Sequence, residues 1–396
     1  MSIILKKLTS SDNLIYIAFA AAFLPFIATG IVMVALGIYL LLAKRDRVFV
    51  HSGRSLLILF TVYTALIGLL RDNLIGFLCS VGFFLIFVIC YYVRTEITSN
   101  VFQKGLDIAC WMCFPVCVSV IVEKLSHSHI EDYRCQSWFF NANYLCTMMA
   151  MMIVVCTYKL LITTKGKPFY LLTILASGIT MYLGESIFAI IEVGVGIFTL
   201  LILYKKRTVL ITSLAIAGIA LIMLYINPGL FPRILDSSTS TDQRIFVWDQ
   251  AIEYIKLSPL FGHGFLSYYH LQGIHGSMWN TAHTHNFVFE PLLCFGLVGT
   301  AIFVAFLWTY YEKISECKSL LRKGKVTNLI LALSAAIIIH CTVDLTIVWI
   351  QTGLLFALII GGIGVDEKTL NRRINACLGK KTDENTTPKE DINNEQ

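Results

Sequence analysis

Charge is what this sequence has least of. Only 14% of its 396 residues are Asp, Glu, Lys or Arg, while 57% are apolar. Water-soluble domains average about 25% charged and about 45–50% apolar residues, so too few charges remain here to coat a water-exposed surface. That excludes a soluble nucleotide-binding domain, a secreted disulfide scaffold and a disordered regulator. No G-x-x-x-x-G-K-[ST] segment is present to cradle nucleotide phosphates, so ATP does not drive the protein directly. No internal repeat with paired broken helices is visible either, which weakens the case for alternating-access transport. Nor do basic residues alternate with aromatics on a polar segment, so the net charge of +6 does not point to nucleic acid.

What fills the chain instead is apolar sequence. A spanning helix needs roughly 17–25 apolar residues. About twelve such stretches occur, at 13–26, 27–43, 55–70, 73–93, 106–123, 142–162, 168–184, 186–204, 208–226, 286–311, 327–345 and 347–365. They predict an all-α polytopic integral membrane protein. The first two share one run broken by Pro25 and Gly30, which reads as a tight hairpin or as one long tilted helix. Lys and Arg collect on the cytoplasmic side of short loops. With the N-terminus inside, 25 of the 31 fall on inner segments, leaving Arg71, Lys124, Arg134, Arg233, Arg244 and Lys256 outside. An even number of spans with both termini cytoplasmic is therefore expected. The expected organisation is an N-terminal transmembrane region over 1–226, an extracytoplasmic loop over 227–284, a C-terminal transmembrane region over 285–366 and a disordered cytoplasmic tail over 367–396. No cleavable signal is expected, because the residues after Leu14 run on into further apolar sequence.

Polar chemistry concentrates in the long loop. Of the twelve cysteines only Cys135 lies in an outer loop, so no disulfide framework is available, and Cys110, Cys113 and Cys117 read as small packing residues. The loop 227–284 and its re-entry hold five of the nine histidines: His263, His270, His275, His283 and His285. Within it, Ile245, Trp248, Ile252 and Ile255 are spaced as on an amphipathic helix over Thr241–Leu257, lying at the membrane surface and capped by Thr241 or Asp242. Arg244 and Trp248 are neighbours on one side of it. Arg244 is either an interfacial anchor or a functional cation. After Ser258-Pro259, Gly262-His263-Gly264 is expected to form a turn in which backbone approaches a ligand. His283, His285 and Glu290 offer donors for zinc, but a further strong ligand at fixed spacing is missing, so a general base is the preferred reading and no metal is expected. His340 and Asp344 are four apart and share a face if helical, which suggests a structural pair or a proton relay inside a span. Glu185 and Glu192 carry the same suggestion more weakly. No Asp-x-Asp occurs in the outer loops, which argues against a metal-bound nucleotide sugar as donor.

Gln243-Arg244-x-x-x-Trp248, then Pro259-Leu260-x-Gly262-x-Gly264, His285-Asn286 and Gly296-Leu-Val-Gly299, with Asn141-Ala-Asn143 and His340-x-x-x-Asp344, resemble the O-antigen ligase and polymerase superfamily. The resemblance implies a GT-C-like, metal-independent glycosyltransferase of the bacterial cytoplasmic membrane, with no cofactor. It would move a glycan from undecaprenyl pyrophosphate to an acceptor hydroxyl on the outer face. The acceptor would be a growing polysaccharide in a polymerase, the favoured form, or lipid A core in a ligase; a solute transporter is the alternative of another class. Implied partners are the lipid-linked glycan, an acceptor glycan or glycolipid, the bilayer and other polysaccharide export proteins. On this resemblance Arg244 and His285 are the catalytic pair, and Trp248, Gly262, Gly264, Asn286, Arg233, Arg71, His340 and Asp344 belong to the substrate site. The chain departs from the pattern where many members carry Ser-Arg, reading Leu183-Gly184-Glu185-Ser186-Ile187, so that Arg71, Arg134 or Arg233 would have to supply the second arginine. It departs again at Cys294, where a Glu is common.

Overall fold

The computed structural model describes residues 9–130, 133–227, 229, 237–276, 278–279, 281–321 and 324–378. Arg233 lies outside them, as does most of the expected tail. The helices are α1 (Ser11–Ala21), α2 (Phe26–Ala43), α3 (Arg45–Val48), α4 (Arg54–Leu70), α5 (Leu74–Glu96), α6 (Ser99–Ser126), α7 (Ala142–Ile162) and α8 (Lys167–Gly184). They continue with α9 (Ile187–Leu203), α10 (Arg207–Ile226), α11 (Ser237–Leu257), α12 (Ser267–His275), α13 (Phe289–Leu320), α14 (Lys325–Cys341), α15 (Ile350–Gly361) and α16 (Ile363–Cys377). No strand occurs among the described residues. Among the described residues six helical stretches are long and apolar enough to cross a membrane, and α4, α9 and α14 are shorter apolar helices. The protein is an all-α polytopic membrane protein.

The first apolar run resolves into two helices. Pro25, which lacks an amide hydrogen, stands just before α2. At 11 residues α1 is too short to span alone. Yet the Ser11 hydroxyl donates to Glu96 at one end of the bundle, and Phe23 O accepts from the Trp138 indole at the other. The segment therefore traverses the packed interior with its non-helical residues 22–25 included. The central helix is α7, buried along almost its whole length.

Polar ties hold the basic end together. Arg94 Nε donates to Glu367 Oε2 at 2.8 Å, Lys159 Nζ meets Asp107 Oδ1 at 2.8 Å, and Lys368 Nζ donates to Ile97 O at 2.7 Å. Asp366 Oδ2 accepts from both the amide and the hydroxyl of Thr327. The connection between α6 and α7 and the approach to α13 lie at the opposite end.

The long-loop helix differs from expectation in two respects. α11 is already helical at Ser237, so Thr241 and Asp242 lie inside it rather than at its start. Its buried face is Val247, Ala251 and Tyr254, packed on Tyr268, Leu271 and Leu293, while Ile245 and Ile252 of the expected stripe are exposed.

The glycine turn also packs differently from expectation. Gly262 (φ +71) and Gly264 (φ +89) lie against the break in α13 at Gly296, itself at φ +61. His263 N and Gly264 N donate to Cys294 O at 3.1 and 2.7 Å, and Leu297 N and Val298 N donate back to Pro259 O and Leu260 O at 2.9 and 3.0 Å. Gly262 N is taken by Ser258 O at 2.9 Å. The close approach at these two glycines is thus of backbone to backbone.

Two tests follow. A cysteine probe at Gly273, where an added Cβ meets nothing within 4 Å, should react with a membrane-impermeant reagent from outside, whereas one near Lys323 should not; the reverse pattern overturns the orientation. Gly262→Ala should lower the melting temperature in detergent, with Gly273→Ala as the neutral control. At Gly262 a Cβ would stand 2.5 Å from Cys294 O and from Gly296 N, and the left-handed backbone costs roughly 1–2 kcal/mol for a side-chain-bearing residue.

Candidate active site

The chain re-enters the bundle at His283-Thr284-His285-Asn286, and the residues that follow fold this segment back on itself. Glu290, in the first turn of α13, accepts the Thr284 amide at 2.8 Å. Asn286 Oδ1 accepts from Val288 N and Phe289 N at 2.8 and 3.2 Å, completing the start of α13, and Asn286 Nδ2 reaches Thr342 O at 3.1 Å. The Trp248 indole of α11 donates to Thr284 O at 3.0 Å. These bonds force His285 into the left-handed region at φ 56, a conformation that His tolerates better than most residues. Its ring is thereby turned toward the segment after α14.

Asp344 waits there. α14 ends at Cys341, and Asp344 lies in the following turn, 3% exposed. His285 Nδ1 donates to Asp344 Oδ1 at 2.8 Å, and Asn143 Nδ2 donates to Asp344 Oδ2 at 2.6 Å. With its proton on Nδ1, neutral His285 has a lone pair on Nε2. That atom lies 2.7 Å from the Thr281 hydroxyl, and the side chain is 25% exposed. Chemically the arrangement can serve as an oriented base: a carboxylate fixes the tautomer, and the far nitrogen is able to accept a proton.

His283 plays a different part. Its Nδ1 accepts the His285 amide at 3.2 Å, so the proton of the neutral ring is on Nε2, which donates to Tyr144 Oη at 3.2 Å. Burial pushes its pKa down to about 3 and keeps it uncharged. His283, His285 and Asp344 bring their donor atoms within 4.8 Å of one another, near enough to address one cation. In this hydrogen-bond pattern His283 has no lone pair left to give without releasing the His285 amide. Glu290, expected beside the histidines as a possible metal ligand, instead accepts from Thr284 N and Cys294 Sγ.

The remaining expected residues divide clearly. Arg244 Nε donates to Val343 O at 2.9 Å and its Nη1 to Ser240 O at 3.2 Å, with the guanidinium 5.6 Å from the Phe188 ring centroid. It stands beside the Asp344 turn rather than hanging outward as an interfacial anchor. Trp248 directs its indole to the loop at Thr284 O, and Asn286 ties the start of α13 to Thr342 O. His340 and Asp344 do not pair. His340 Nδ1 contacts Glu192 Oε2 at 2.6 Å, deep in the bundle and 1% exposed, because the helix stops before Asp344 can share its face. His340 is thus enclosed with Glu192, whereas Asp344 faces His285 and Asn143. Arg71 is held by Ser258 Oγ at 2.7 Å, on the far side of the loop from the dyad. Of the three arginines weighed for the missing middle-span position, Arg134 reaches that stretch, with Nε on Gly184 O at 3.2 Å and Nη2 on Asn143 Oδ1 at 2.8 Å. Tyr144 and Thr281 carry no sequence signal that marks them as site residues.

Residues 171–304 match the family model described as O-Antigen ligase. This stretch contains Arg244, Trp248 and His285 and stops short of Asp344. Two relatives provisionally named as polysaccharide ligases match part of the chain. The protein of Rickettsia bellii is 30% identical over 160 residues, covering 37% of this chain and 38% of its own length. That of Rickettsia felis is 26% identical over 164 residues, covering 38% and 39%. The matched region thus spans well under half of either relative. Over that stretch the chain is similar to the O-antigen ligase family.

Proposed function

We propose that the protein is a glycosyltransferase of the bacterial cytoplasmic (inner) membrane, passing a glycan from undecaprenyl pyrophosphate to an acceptor hydroxyl on the outer face. The observation that carries this reading is the Asp344–His285 pair, with Nε2 of the histidine facing a hydroxyl at 2.7 Å. An acceptor alcohol in the place of Thr281 Oγ1 gives its proton to Nε2 while its oxygen attacks the anomeric carbon. The bond from that carbon to the pyrophosphate oxygen breaks, and the leaving group takes the electron pair. Asp344 steadies the imidazolium that forms. The departing pyrophosphate is strongly anionic and is met by the Arg244 guanidinium, whose planar fork suits phosphate oxygens. Both groups reside on elements that the same turn, 342–345, holds in register.

The polymerase form of the reaction is the first reading, since the departures at Leu183–Ile187 and Cys294 accord with the looser sequence constraints on polymerases. Ligation to lipid A core is the second, favoured by the description of the family model and the names of the two relatives. Purified protein in liposomes, given synthetic undecaprenyl-pyrophosphate glycan with or without lipid A core, separates the two by product. Uptake of a solute with no glycan transfer would overturn both.

His285→Ala should still insert and hold lipid-linked donor while transfer falls roughly 10²–10⁴-fold, the range for a positioned acid–base group. A normal product-length distribution would make His285 structural. EDTA should leave the wild-type rate unchanged, and inhibition reversed by one divalent ion would return His283, His285 and Asp344 as metal ligands. Arg244→Lys should lose most activity, because an ammonium keeps the charge but not the fork. Transfer at the normal rate would leave Arg244 as a tie between α11 and Val343.

A further inference from the structure

A chain of side chains behind the dyad is not used by the transfer chemistry above. Arg134 lies between α6 and α7, in a segment fastened to the end of α8 by Cys135 N on Leu183 O at 3.1 Å. Its guanidinium spans two carbonyl-type acceptors, Gly184 O at 3.2 Å and Asn143 Oδ1 at 2.8 Å. Asn143 then donates to Asp344 Oδ2 at 2.6 Å, and Asp344 Oδ1 accepts from His285 Nδ1 at 2.8 Å. A guanidinium only donates and a carboxylate only accepts, so the amide between them has one orientation, oxygen toward Arg134 and nitrogen toward Asp344.

Asp344 needs such an anchor. It sits in a turn beyond the end of α14, and two imidazoles compete for Oδ1: His285 Nδ1 at 2.8 Å and His283 Nε2 at 3.8 Å. Released at Oδ2, the carboxylate is free to swing toward His283, and His285 then loses the partner that keeps its proton on Nδ1. With the proton on Nε2 instead, that nitrogen has no lone pair for an acceptor hydroxyl. We propose that Arg134 and Asn143 are positioning residues: the Arg134–Asn143–Asp344 chain holds His285 in the single tautomer whose Nε2 can take a proton. The proposal rests on the glycosyltransferase reading for its catalytic consequence, but its structural core concerns His285 alone.

Asn143→Ala is a suitable test because it spares the helix. The N-cap of α7 is Asn141, whose side chain accepts the Asn143 amide at 2.7 Å, and that bond survives the change. The tautomer of His285 is read by imidazole nitrogen NMR on the full chain in nanodiscs, with His285→Ala to assign the signal. Wild type should show the proton on Nδ1, whereas Asn143→Ala and Arg134→Ala should show mixed tautomers. Transfer should fall about 10–100-fold, as for other groups that orient a reactive histidine, through kcat, with KM for the lipid-linked donor unchanged. Arg134→Lys, whose single ammonium reaches one of the two acceptors, should fall between wild type and Arg134→Ala, and it carries the test if Asn143→Ala does not fold. An unshifted tautomer in folded Asn143→Ala would overturn the proposal. So would an Arg134→Ala variant with raised donor KM and an intact tautomer, which would make Arg134 a phosphate ligand. If wild type transfers no glycan yet the tautomer depends on Asn143, the positioning chain stands and the enzymatic reading falls.

Discussion

A carboxylate buried where the bundle meets its loops must be satisfied by donors, because water is not there to do it. Asp344 is that carboxylate, and its partners come from distant parts of the sequence: Asn143 at the start of α7 and His285 on the re-entrant loop. Each of its oxygens draws in a different element. The turn that holds it also receives Arg244 through Val343 O and Asn286 through Thr342 O. Satisfying one buried charge therefore assembles most of the site.

The two ends of the bundle handle charge differently. At the basic end, long side chains form direct ion pairs such as Arg94–Glu367 and Lys159–Asp107, which brace helices and leave no base to work with. At the other end the Asp344 carboxylate is balanced by an amide and an imidazole, groups that orient without neutralising it. This difference separates the braces from the candidate site. The His340–Glu192 pair, enclosed between α14 and α9, belongs with the braces by its burial.

Much of this was legible in the sequence. Apolar run length places the helices, and the spacing of Arg244 and Trp248 with the His285-Asn286 pair marks the loop elements that meet at the site. Local pattern could not show where α14 stops. His340 and Asp344 look like helical neighbours four apart, and only the helix end at Cys341 sends one to Glu192 and the other to His285. The stripe on α11 misled for a similar reason: Val247, Ala251 and Tyr254 are less conspicuous than Ile245 and Ile252, yet they meet α12 and α13. Gly262 and Gly264 signal close approach correctly, but the sequence does not say to what. Arg134 becomes visible only once Gly184 and Asn143 are neighbours in space.

The break in α13 has an energetic corollary. A kink within a membrane helix strands amides that must find carbonyls elsewhere. Here Pro259 and Leu260 supply them for Leu297 and Val298, while His263 and Gly264 return amides to Cys294. Loop and helix are thus spliced by reciprocal main-chain bonds, and neither can peel away without exposing the other's backbone to hydrocarbon. The spliced stretches 258–264 and 294–298 should accordingly open as one cooperative unit, with amide exchange at Gly264 and Val298 proceeding at a common rate. A segment that reads as a surface loop belongs, thermodynamically, to the bilayer-spanning core.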